Sequence, residues 1–333
     1  MLKNYWDIII IGGGPSGINC AIEAGRANLS ALILEKGVIV HSLFHFPTNM
    51  TFFSTSRLLE IAQIPFVSHN DKPTRQESLE YYRRLIQHFN LNYHTYEAAE
   101  AIFPVEKAET KVFYKVKSVK QEYFCKNVII ATGFYDKPVL LNVPGENLPA
   151  VKHYYDDPHR YINQKVIIIG AANSACDAAL EIWQKGGQVT MLVRGSELSP
   201  RVKYWIKPNI ENRIKEGSIK AYFNSEIVEI AENKVVFITE IEKITLESDW
   251  VLALTGYQPD FDFLARLGLA FENKVNCKPI FDERTLETNL KGIYIAGVVC
   301  GGMETSKLFI ENTRDHAEKI IGDIIIKNSQ EAI

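Results

Sequence analysis

Short apolar runs alternate along this chain with amphipathic segments of helix-forming composition, which is the pattern of parallel strands joined by crossover helices. The first apolar run, WDIIII at residues 6–11, predicts a buried strand, and a helix is predicted from about Pro15 to Ala27. A second apolar run at residues 31–34 predicts the next strand, which ends at Glu35. These elements form one strand-helix-strand unit.

A second unit of the same kind begins at Lys165. The pattern predicts a strand at residues 166–169, a helix at 173–185 and a strand at 189–193, which Arg194 follows. Repetition of one supersecondary unit within a chain predicts two related nucleotide-binding sites. The predicted fold class is therefore α/β, with two Rossmann-like three-layer nucleotide-binding domains.

The segment between the two units also has a readable pattern. Residues 75–89 have helix-forming composition, and residues 98–130 alternate between apolar and polar positions as a meander of short strands does. The meander ends on a buried strand, NVIIATG at 127–133, and DWVLALTGYQPD at 249–260 is its counterpart in the second unit. Each unit therefore gains a further buried strand that runs into a glycine.

The chain ends with the segment GIYIAGVVCGG at 292–302 and an amphipathic helix predicted at about 304–325. A strand that ends in glycine before a helix again has nucleotide-binding geometry, so we expect this segment to return to the first domain. The prediction is a first nucleotide-binding domain of residues 1–149 plus 275–333, into which a second domain of residues 150–274 is inserted.

The segment GGGPSG at residues 12–17 fits the G-x-G-x-x-G fingerprint and lies directly after a predicted strand and before a predicted helix. In that fingerprint Gly12 permits the tight turn, Gly14 lets a pyrophosphate approach the backbone, and Gly17 allows close packing of helix on strand. The helix N-terminus supplies N–H groups and a positive dipole end. Glu35 can accept hydrogen bonds from both ribose hydroxyls of an adenosine.

The segment GAANSA at residues 170–175 is a degenerate form of the same fingerprint, with alanine at the second and third glycine positions. Its place in the repeated unit predicts a second dinucleotide site. Because Arg194 stands where NAD sites carry a carboxylate, a 2′-phosphate and hence NADPH are favoured. Arg201 and Lys203, a few residues further along the chain, could assist; the alternative interpretation is that these two belong to a solvated basic loop. The residues predicted to contact this dinucleotide are Gly170, Asn173, Ser174, Ala175, Arg194, Arg201 and Lys203.

The composition is that of an ordinary globular protein, with 333 residues, 46% hydrophobic and 23% charged. A net charge of −3 gives no support to nucleic acid or an anionic membrane surface as a partner, so small molecules are expected. The apolar N-terminal run is too short for a signal peptide, and no stretch reaches the roughly 20 apolar residues of a membrane span, which predicts a cytoplasmic protein. The five cysteines form no C-x-x-C pair, which argues against a local redox dithiol and a zinc site.

Two dinucleotide sites in this order resemble the thioredoxin-reductase-like two-dinucleotide-binding flavoproteins, and the resemblance covers essentially the whole chain. IIATGFYDKP at 129–138 and LTGYQPD at 254–260 look like the turns that connect the domains of that superfamily. Four further segments are similar to the YpdA-type bacillithiol-disulfide reductases. They are FPTNMTFFSTSRLLEI at 46–61, HYYDDPHRY at 153–161, VKYWIKPNIENRIKEGSI at 202–219 and IAGVVCGG at 295–302.

The resemblance implies FAD in the first site, NADPH in the second, and reduction of the disulfide of a low-molecular-weight thiol. It also implies that the segment at 46–61 lies close to the flavin. Val298 stands where the superfamily often has an aspartate for the ribityl chain, and the backbone N–H groups of Gly297 and Val298 would serve the flavin in its place. The residues implied to contact FAD are Gly12, Gly14, Pro15, Ser16, Gly17, Glu35, Lys36, Thr132, Gly133, Gly297 and Val298.

One departure from the family bears on the chemistry. The family's proposed redox cysteine falls at the position of Ser16, and a hydroxyl cannot form a mixed disulfide. The sequence therefore assigns no catalytic residue. Cys20, one helical turn beyond Ser16, and Cys300, beside the C-terminal glycines, are the candidates for a displaced thiol, and packing is the alternative role for both.

The predicted function is that of an FAD-dependent NADPH oxidoreductase, in which hydride passes from NADPH to FAD and electrons continue to an unidentified acceptor. A small molecule or a small redox protein is the expected acceptor, and a homo-oligomer is expected. Three alternatives stay open: a flavin monooxygenase, a ferredoxin- or flavodoxin-type NADPH reductase, and a non-enzymatic flavin redox sensor.

Overall fold

The structure, a computed structural model, describes residues 4–105, 114–273 and 275–330. These residues form two compact units. Unit 1 contains the described residues of Met1–His45, Asn49–Lys137 and Tyr257–Ile333, and unit 2 contains those of Phe46–Thr48 and Pro138–Gly256. The main segment of unit 2 is thus inserted in sequence between two segments of unit 1.

Both units contain β-strands, which are numbered in chain order. They are β1 (Tyr5–Ile11), β2 (Ala31–Leu34), β3 (Asn92–His94), β4 (Ala99–Pro104), β5 (Tyr114–Ser118), β6 (Glu122–Ile130), β7 (Lys137–Pro138), β8 (Val151–Lys152), β9 (Lys165–Ile169), β10 (Gln188–Leu192), β11 (Lys220–Tyr222), β12 (Glu226–Ala231), β13 (Lys234–Ile238), β14 (Lys243–Glu247), β15 (Trp250–Ala253), β16 (Tyr257–Gln258) and β17 (Ile293–Ile295).

The helices range from single turns to about four turns in length. They are α1 (Pro15–Arg26), α2 (His41–Phe44), α3 (Ser56–Leu59), α4 (Arg75–His88), α5 (Asn173–Gln184), α6 (Lys207–Lys215), α7 (Phe261–Arg266) and α8 (His316–Gln330), with short 3₁₀ turns at Pro158–Tyr161, Gly297–Gly301 and Ile310–Asn312. In the described part of the chain, no helix combines the length and the apolar character needed to cross a bilayer.

Unit 1 is built on a seven-stranded sheet in which β3, β2, β1, β6, β5 and β4 follow one another and β17 also pairs with β6. The pairings of β1, β2, β3, β6 and β17 are parallel, whereas β5 pairs antiparallel with β4 and β6. Ile8, Ile9 and Ile10 of β1 are fully buried, as expected for a central parallel strand. The predicted first unit, helix and meander are confirmed; residues 106–113 of the meander lie outside the described residues.

Unit 2 contains a five-stranded parallel sheet in the order β11-β10-β9-β15-β8. The repeated unit predicted from Lys165 onwards is β9, α5 and β10, so the predicted α/β class is confirmed. A three-stranded antiparallel sheet, β12-β13-β14, is an addition that the sequence analysis missed. A signal for it is present in the sequence, because KITLE of β14 alternates between polar and apolar residues.

The unit boundaries differ from the predicted ones, which were 149/150 and 274/275. Residues 138–149 fall in unit 2, because Leu141, Val143 and Leu148 pack against its hydrophobic core. Residues 257–273 fall in unit 1, because Phe263 and Leu264 of α7 belong to the core of that unit. Motif spacing locates a strand but does not indicate which hydrophobic core the adjoining turn packs against. Both predicted boundaries therefore lie later in the sequence than those of the structure.

The C-terminal helix begins later than its apolar pattern predicts. The prediction starts it near residue 304, whereas α8 begins at His316. In the preceding segment the Thr313 hydroxyl donates to the carbonyl oxygen of Phe309, and Asn312 Oδ1 accepts from the N–H of Phe309. Such local bonds between side chains and backbone compete with helical hydrogen bonds, so this segment forms turns instead.

Candidate functional site

Packing alone explains two of the three motif glycines in the turn between β1 and α1. Gly12 has a φ of +108°, and a Cβ placed on it would lie 2.5 Å from the carbonyl oxygen of Ala131. A Cβ on Gly17 would overlap the carbonyl oxygen of Gly12. Both positions therefore require glycine for the fold itself.

Gly14 is different, because no contact with the described residues requires a glycine there. Its backbone is extended, with a φ of −78°, and a Cβ placed on it would meet no described heavy atom within 4 Å. Gly14 precedes the first residue of α1, and no side chain caps that helix end among the described residues. The open backbone and the helical N–H groups without a side-chain acceptor fit a pyrophosphate that approaches at this point.

Glu35 lies directly after β2 and is only 5% exposed. Its Oε2 accepts a hydrogen bond from the N–H of Gly13 at 2.7 Å, and its Oε1 accepts one from the N–H of Gly37 at 2.8 Å. Burial raises the pKa of Glu35, and the two N–H donors oppose that rise. Each carboxylate oxygen keeps a further lone pair, so the side chain can still accept from two ribose hydroxyls.

The turn after β6 contains a buried hydroxyl, since Thr132 Oγ1 has no hydrogen-bond partner among the described residues. Gly133 follows with a φ of +67°, and a methyl group of Val298 lies 3.9 Å from the position of its absent Cβ. A buried polar atom without a partner is costly, so Thr132 fits a ligand that supplies one. Lys36 forms an ion pair with Asp136 at 2.8 Å, and its expected contact with FAD stays a prediction.

The turn after β17 is bonded through its backbone to the C-terminal helix. Gly297 has a φ of +81°, and its N–H donates to Nδ1 of His316 at 3.1 Å. This N–H therefore has an acceptor within the protein, and its expected contact with a flavin stays a prediction. His316 is the first residue of α8, its Nδ1 accepts this hydrogen bond, and burial lowers its pKa. Sequence analysis missed His316 because only the fold brings it beside Gly297.

Ser16 marks the point at which two motifs meet. Pro15 and Ser16 are the first two residues of α1, and a Cβ on Gly297 would overlap the Ser16 hydroxyl. The first glycine motif and the C-terminal motif of unit 1 are thus in contact at residue 16. Any ligand that follows both motifs would pass this serine.

The cysteines of the chain offer no evident thiolate beside these motifs. Cys20 is fully buried, and burial raises its pKa to about 12. Burial also raises the pKa of Cys300, whose Sγ lies 4.0 Å from Nδ1 of His316. Thiols in such surroundings are protonated at neutral pH and unreactive, so both have the character of packing residues. Cys277 alone among the five cysteines is partly exposed.

The second motif repeats this construction within unit 2. Gly170 has a φ of +147°, and a Cβ placed on it would lie 2.5 Å from the carbonyl oxygen of Leu254 and 3.1 Å from the Cβ of Ala175. Both motif positions must therefore be small. Ser174 is exposed in the first turn of α5, and no described side chain caps the start of this helix. The helix end again fits a pyrophosphate.

Asn173 has a structural role that sequence analysis missed. Its Nδ2 donates to the carbonyl oxygen of Arg201 at 3.2 Å, and its Oδ1 accepts from the N–H of Lys203 at 2.9 Å. These bonds hold the loop that contains both cations at the first turn of α5. Arg194, the remaining predicted phosphate contact, is exposed two residues after the end of β10.

Comparison with known proteins places these features in a family. Residues 9–297 match the family model described as pyridine nucleotide-disulphide oxidoreductase. The chain is 41% identical over 317 residues to the bacilliredoxin reductase Bdr of Bacillus subtilis, covering 95% of this chain and 96% of that protein. The solved bacillithiol disulfide reductase Bdr (YpdA) from Bacillus cereus matches with a TM-score of 0.92 and 37% identity, covering 97% of this chain and 99% of that one. A ferredoxin–NADP reductase of Ignicoccus hospitalis is 24% identical over 302 residues, covering 87% of this chain and 89% of that protein.

These matches confirm the resemblance, and with it the Rossmann-like fold class, that the sequence indicates. The open backbone at Gly14, the spare acceptors of Glu35 and the buried hydroxyl of Thr132 fit FAD, one of the two cofactors of these enzymes. The chain belongs to the pyridine nucleotide-disulphide oxidoreductases and, within them, to the YpdA-type bacillithiol-disulfide reductase family, and it is an FAD-containing, NADPH-dependent reductase.

Proposed function

We propose that this chain reduces the disulfide of a bacillithiol-type low-molecular-weight thiol at the expense of NADPH. The observation that carries the proposal is the 41% identity to the Bacillus subtilis bacilliredoxin reductase over 95% of the chain. In balanced form, NADPH, one proton and one disulfide give NADP⁺ and two thiols. The acceptor is thus a small molecule, in agreement with the modest net charge of −3.

The proposal assigns binding and orientation to the chain's own residues. Bound FAD and NADPH supply the redox chemistry, which is hydride transfer to the flavin. In unit 1 the backbone at Gly14 would hold the FAD pyrophosphate, Glu35 the adenosine ribose, and Thr132 a further polar group of FAD. In unit 2 the N-terminus of α5 would hold the NADPH pyrophosphate, and Arg194 the 2′-phosphate.

The proposed reduction proceeds without a covalent relay at residue 16, because the hydroxyl of Ser16 cannot form a mixed disulfide. Cys20 and Cys300 do not replace that relay, since burial raises the pKa of both thiols. The acceptor disulfide therefore binds without forming a bond to the protein. Its two sulfur atoms leave as thiols after taking up two electrons and two protons.

A second candidate is a reductase of the ferredoxin type. Two observations favour it: the likeness to a ferredoxin–NADP reductase, and a serine in place of a thiol at residue 16. Electron transfer to a one-electron carrier needs no protein thiol. This candidate differs from the first in its acceptor only, because the cofactors and their binding residues are the same.

The test offers a panel of acceptors to the NADPH-reduced protein and follows NADPH oxidation. We expect turnover with bacillithiol disulfide and much slower turnover with ferredoxin or flavodoxin. Turnover confined to the two carriers would establish the second candidate instead.

Two variants examine the thiol question within the same assay. Cys277→Ala removes the partly exposed thiol, and we expect it to keep the wild-type rate with the disulfide. Loss of that rate, with flavin reduction by NADPH intact, would return the chain to the reductases that depend on a protein thiol. Ser16→Cys restores the family's residue, and a gain in rate would show that a thiol at this position can act on the same acceptor.

A further inference from the structure

Two aromatic rings stand out on the surface of unit 2. Tyr204 is 82% exposed and Trp205 is 41% exposed, although Val202 and Ile206 on either side of them are buried. The flanking side chains anchor the backbone in the core, so the fold itself presents the two rings to solvent. We call Tyr204 and Trp205 the aromatic pair.

The aromatic pair is fixed beside the N-terminus of α5. The N–H of Ser199 donates to the carbonyl oxygen of Ala171 at 2.9 Å, and the N–H of Lys203 donates to Asn173 Oδ1 at 2.9 Å. Asn173 Nδ2 in turn donates a hydrogen bond to the carbonyl oxygen of Arg201 at 3.2 Å. Tyr204 therefore follows directly after a residue whose backbone is bonded to the first residue of the helix.

The chemistry of this loop combines aromatic faces with positive charge. The rings of Tyr204 and Trp205 are in edge-to-face contact, with centroids 4.8 Å apart and an interplanar angle of 86°. Nζ of Lys203 lies 5.9 Å from the centroid of the Trp205 ring. A planar base that carries a phosphate matches this combination, because the base can stack on an exposed ring while the phosphate meets the cations.

We propose that the aromatic pair is the adenine platform of the second dinucleotide site, with Tyr204 stacking on the base and Trp205 supporting Tyr204 from the side. This inference rests on the proposed assignment of NADPH to α5, and it adds the residues that recognise the base. Arg194 and the loop cations then bind the 2′-phosphate of the same adenosine. The pair contributes to affinity for any adenine dinucleotide, whereas the cations set the preference for the phosphorylated one.

The test uses adenosine 2′,5′-bisphosphate as the probe, because it is the adenosine end of NADPH without the nicotinamide. Its binding to the FAD-loaded protein is measured by isothermal titration calorimetry. We expect Tyr204→Leu to weaken binding about tenfold, the scale on which base stacking on an aromatic side chain contributes. Tyr204→Phe keeps the ring and should bind within about twofold of wild type. Tyr93→Leu, at an exposed tyrosine of unit 1, is the matched control and should change nothing.

A second measurement separates adenine recognition from other uses of the same surface. Reduced nicotinamide mononucleotide lacks the adenosine, so Tyr204→Leu should leave its rate of flavin reduction unchanged while raising the KM for NADPH. Equal loss with both donors would overturn the platform, as would unchanged binding of the bisphosphate. If wild type itself binds no bisphosphate but reduces its flavin with the mononucleotide, the NADPH site assigned to α5 is wrong as well, and the two failures are thereby distinguished.

Discussion

The glycines of the first motif are present for different physical reasons. Gly12 and Gly17 are required because backbone atoms lie too close to both positions for a Cβ. This requirement comes from the fold and does not depend on a ligand. Gly14 has ordinary extended dihedral angles and open space where its Cβ would be. A side chain at Gly14 therefore disturbs the proposed ligand and leaves the packing of the fold unchanged.

We predict that Gly14→Val folds normally and loses its flavin. The valine side chain would occupy the space assigned to the pyrophosphate, while the extended backbone accepts valine without strain. Flavin per chain, measured by absorbance after release from the purified protein, should fall to near zero. Gly25→Val is the matched control, because Gly25 lies in α1, the helix that follows Gly14, with equally open space. Full flavin content in Gly14→Val would show that the motif does not bind FAD.

The predicted preference for NADPH over NADH as electron donor rests on Arg194. A charge-assisted contact to a phosphate contributes about 1.5–3 kcal/mol, so Arg194→Ala should weaken NADPH binding roughly ten- to a hundredfold and NADH binding little. Stopped-flow flavin reduction with each donor measures this. Lys220→Ala removes an exposed cation from the neighbouring strand and should leave both donors unaffected. Equal losses for NADPH and NADH in Arg194→Ala would contradict the 2′-phosphate assignment.

Site residues could be predicted from the sequence where they follow a local rule. The motif at 12–17 and Glu35 have fixed spacing around one strand-helix-strand unit, so their neighbourhood is implied by the pattern. The bond from Gly297 to His316 and the bonds of Asn173 to a loop 28 to 30 residues later depend on tertiary placement. No local pattern encodes such contacts, which is why the sequence assigned Gly297 and Asn173 to cofactors alone.

At the scale of elements, helix ends depend on polar side chains more than on apolar periodicity. The helix predicted from composition at 75–89 agrees closely with α4, whose start is fixed by a capping box of Thr74 and Glu77. The C-terminal helix was placed too early because Asn312 and Thr313 bond to the backbone just before it. The spacing of apolar residues does not locate the start of either helix, because it does not report these polar side chains.

The capping box gives a stability prediction. The Glu77 carboxylate accepts from the N–H of Thr74 at 2.7 Å and from the N–H of His69 at 3.0 Å, and these bonds lower its pKa to about 2. Glu77→Ala should lower the free energy of unfolding by about 1 kcal/mol at neutral pH, as measured by urea denaturation. Gln76→Ala, at the exposed neighbouring position, should change it little.

The lowered pKa of Glu77 determines how its contribution to the free energy of unfolding changes with pH. A carboxyl group whose pKa is lower in the folded protein stabilises the fold when it is ionised. For Glu77 this contribution is complete above about pH 4.5 and is lost as the pH falls toward 2. The difference in unfolding free energy between wild type and Glu77→Ala should therefore shrink as the pH falls through that window. A difference that stays constant across it would rule out the capping carboxylate as the cause.

At the scale of the whole molecule, the repeat of one nucleotide-binding unit determines most of the architecture. The order of parallel strands and crossover helices follows from the hydrophobic pattern, and the two dinucleotide fingerprints follow the central strands β1 and β9. The unit boundaries at 137/138 and 256/257 do not follow from it, since they depend on which core Leu148 and Phe263 join. The homo-oligomer expected from the sequence stays a prediction.

In the proposed reaction, electrons from NADPH reach a disulfide without a protein thiol at residue 16. The most direct measurement reduces the wild-type flavin with one equivalent of NADPH under anaerobic conditions and then adds bacillithiol disulfide. We expect the absorbance of oxidised flavin to return and two thiols to be released for each NADPH. A flavin that stays reduced with the disulfide but is promptly reoxidised by ferredoxin would contradict the proposed reaction.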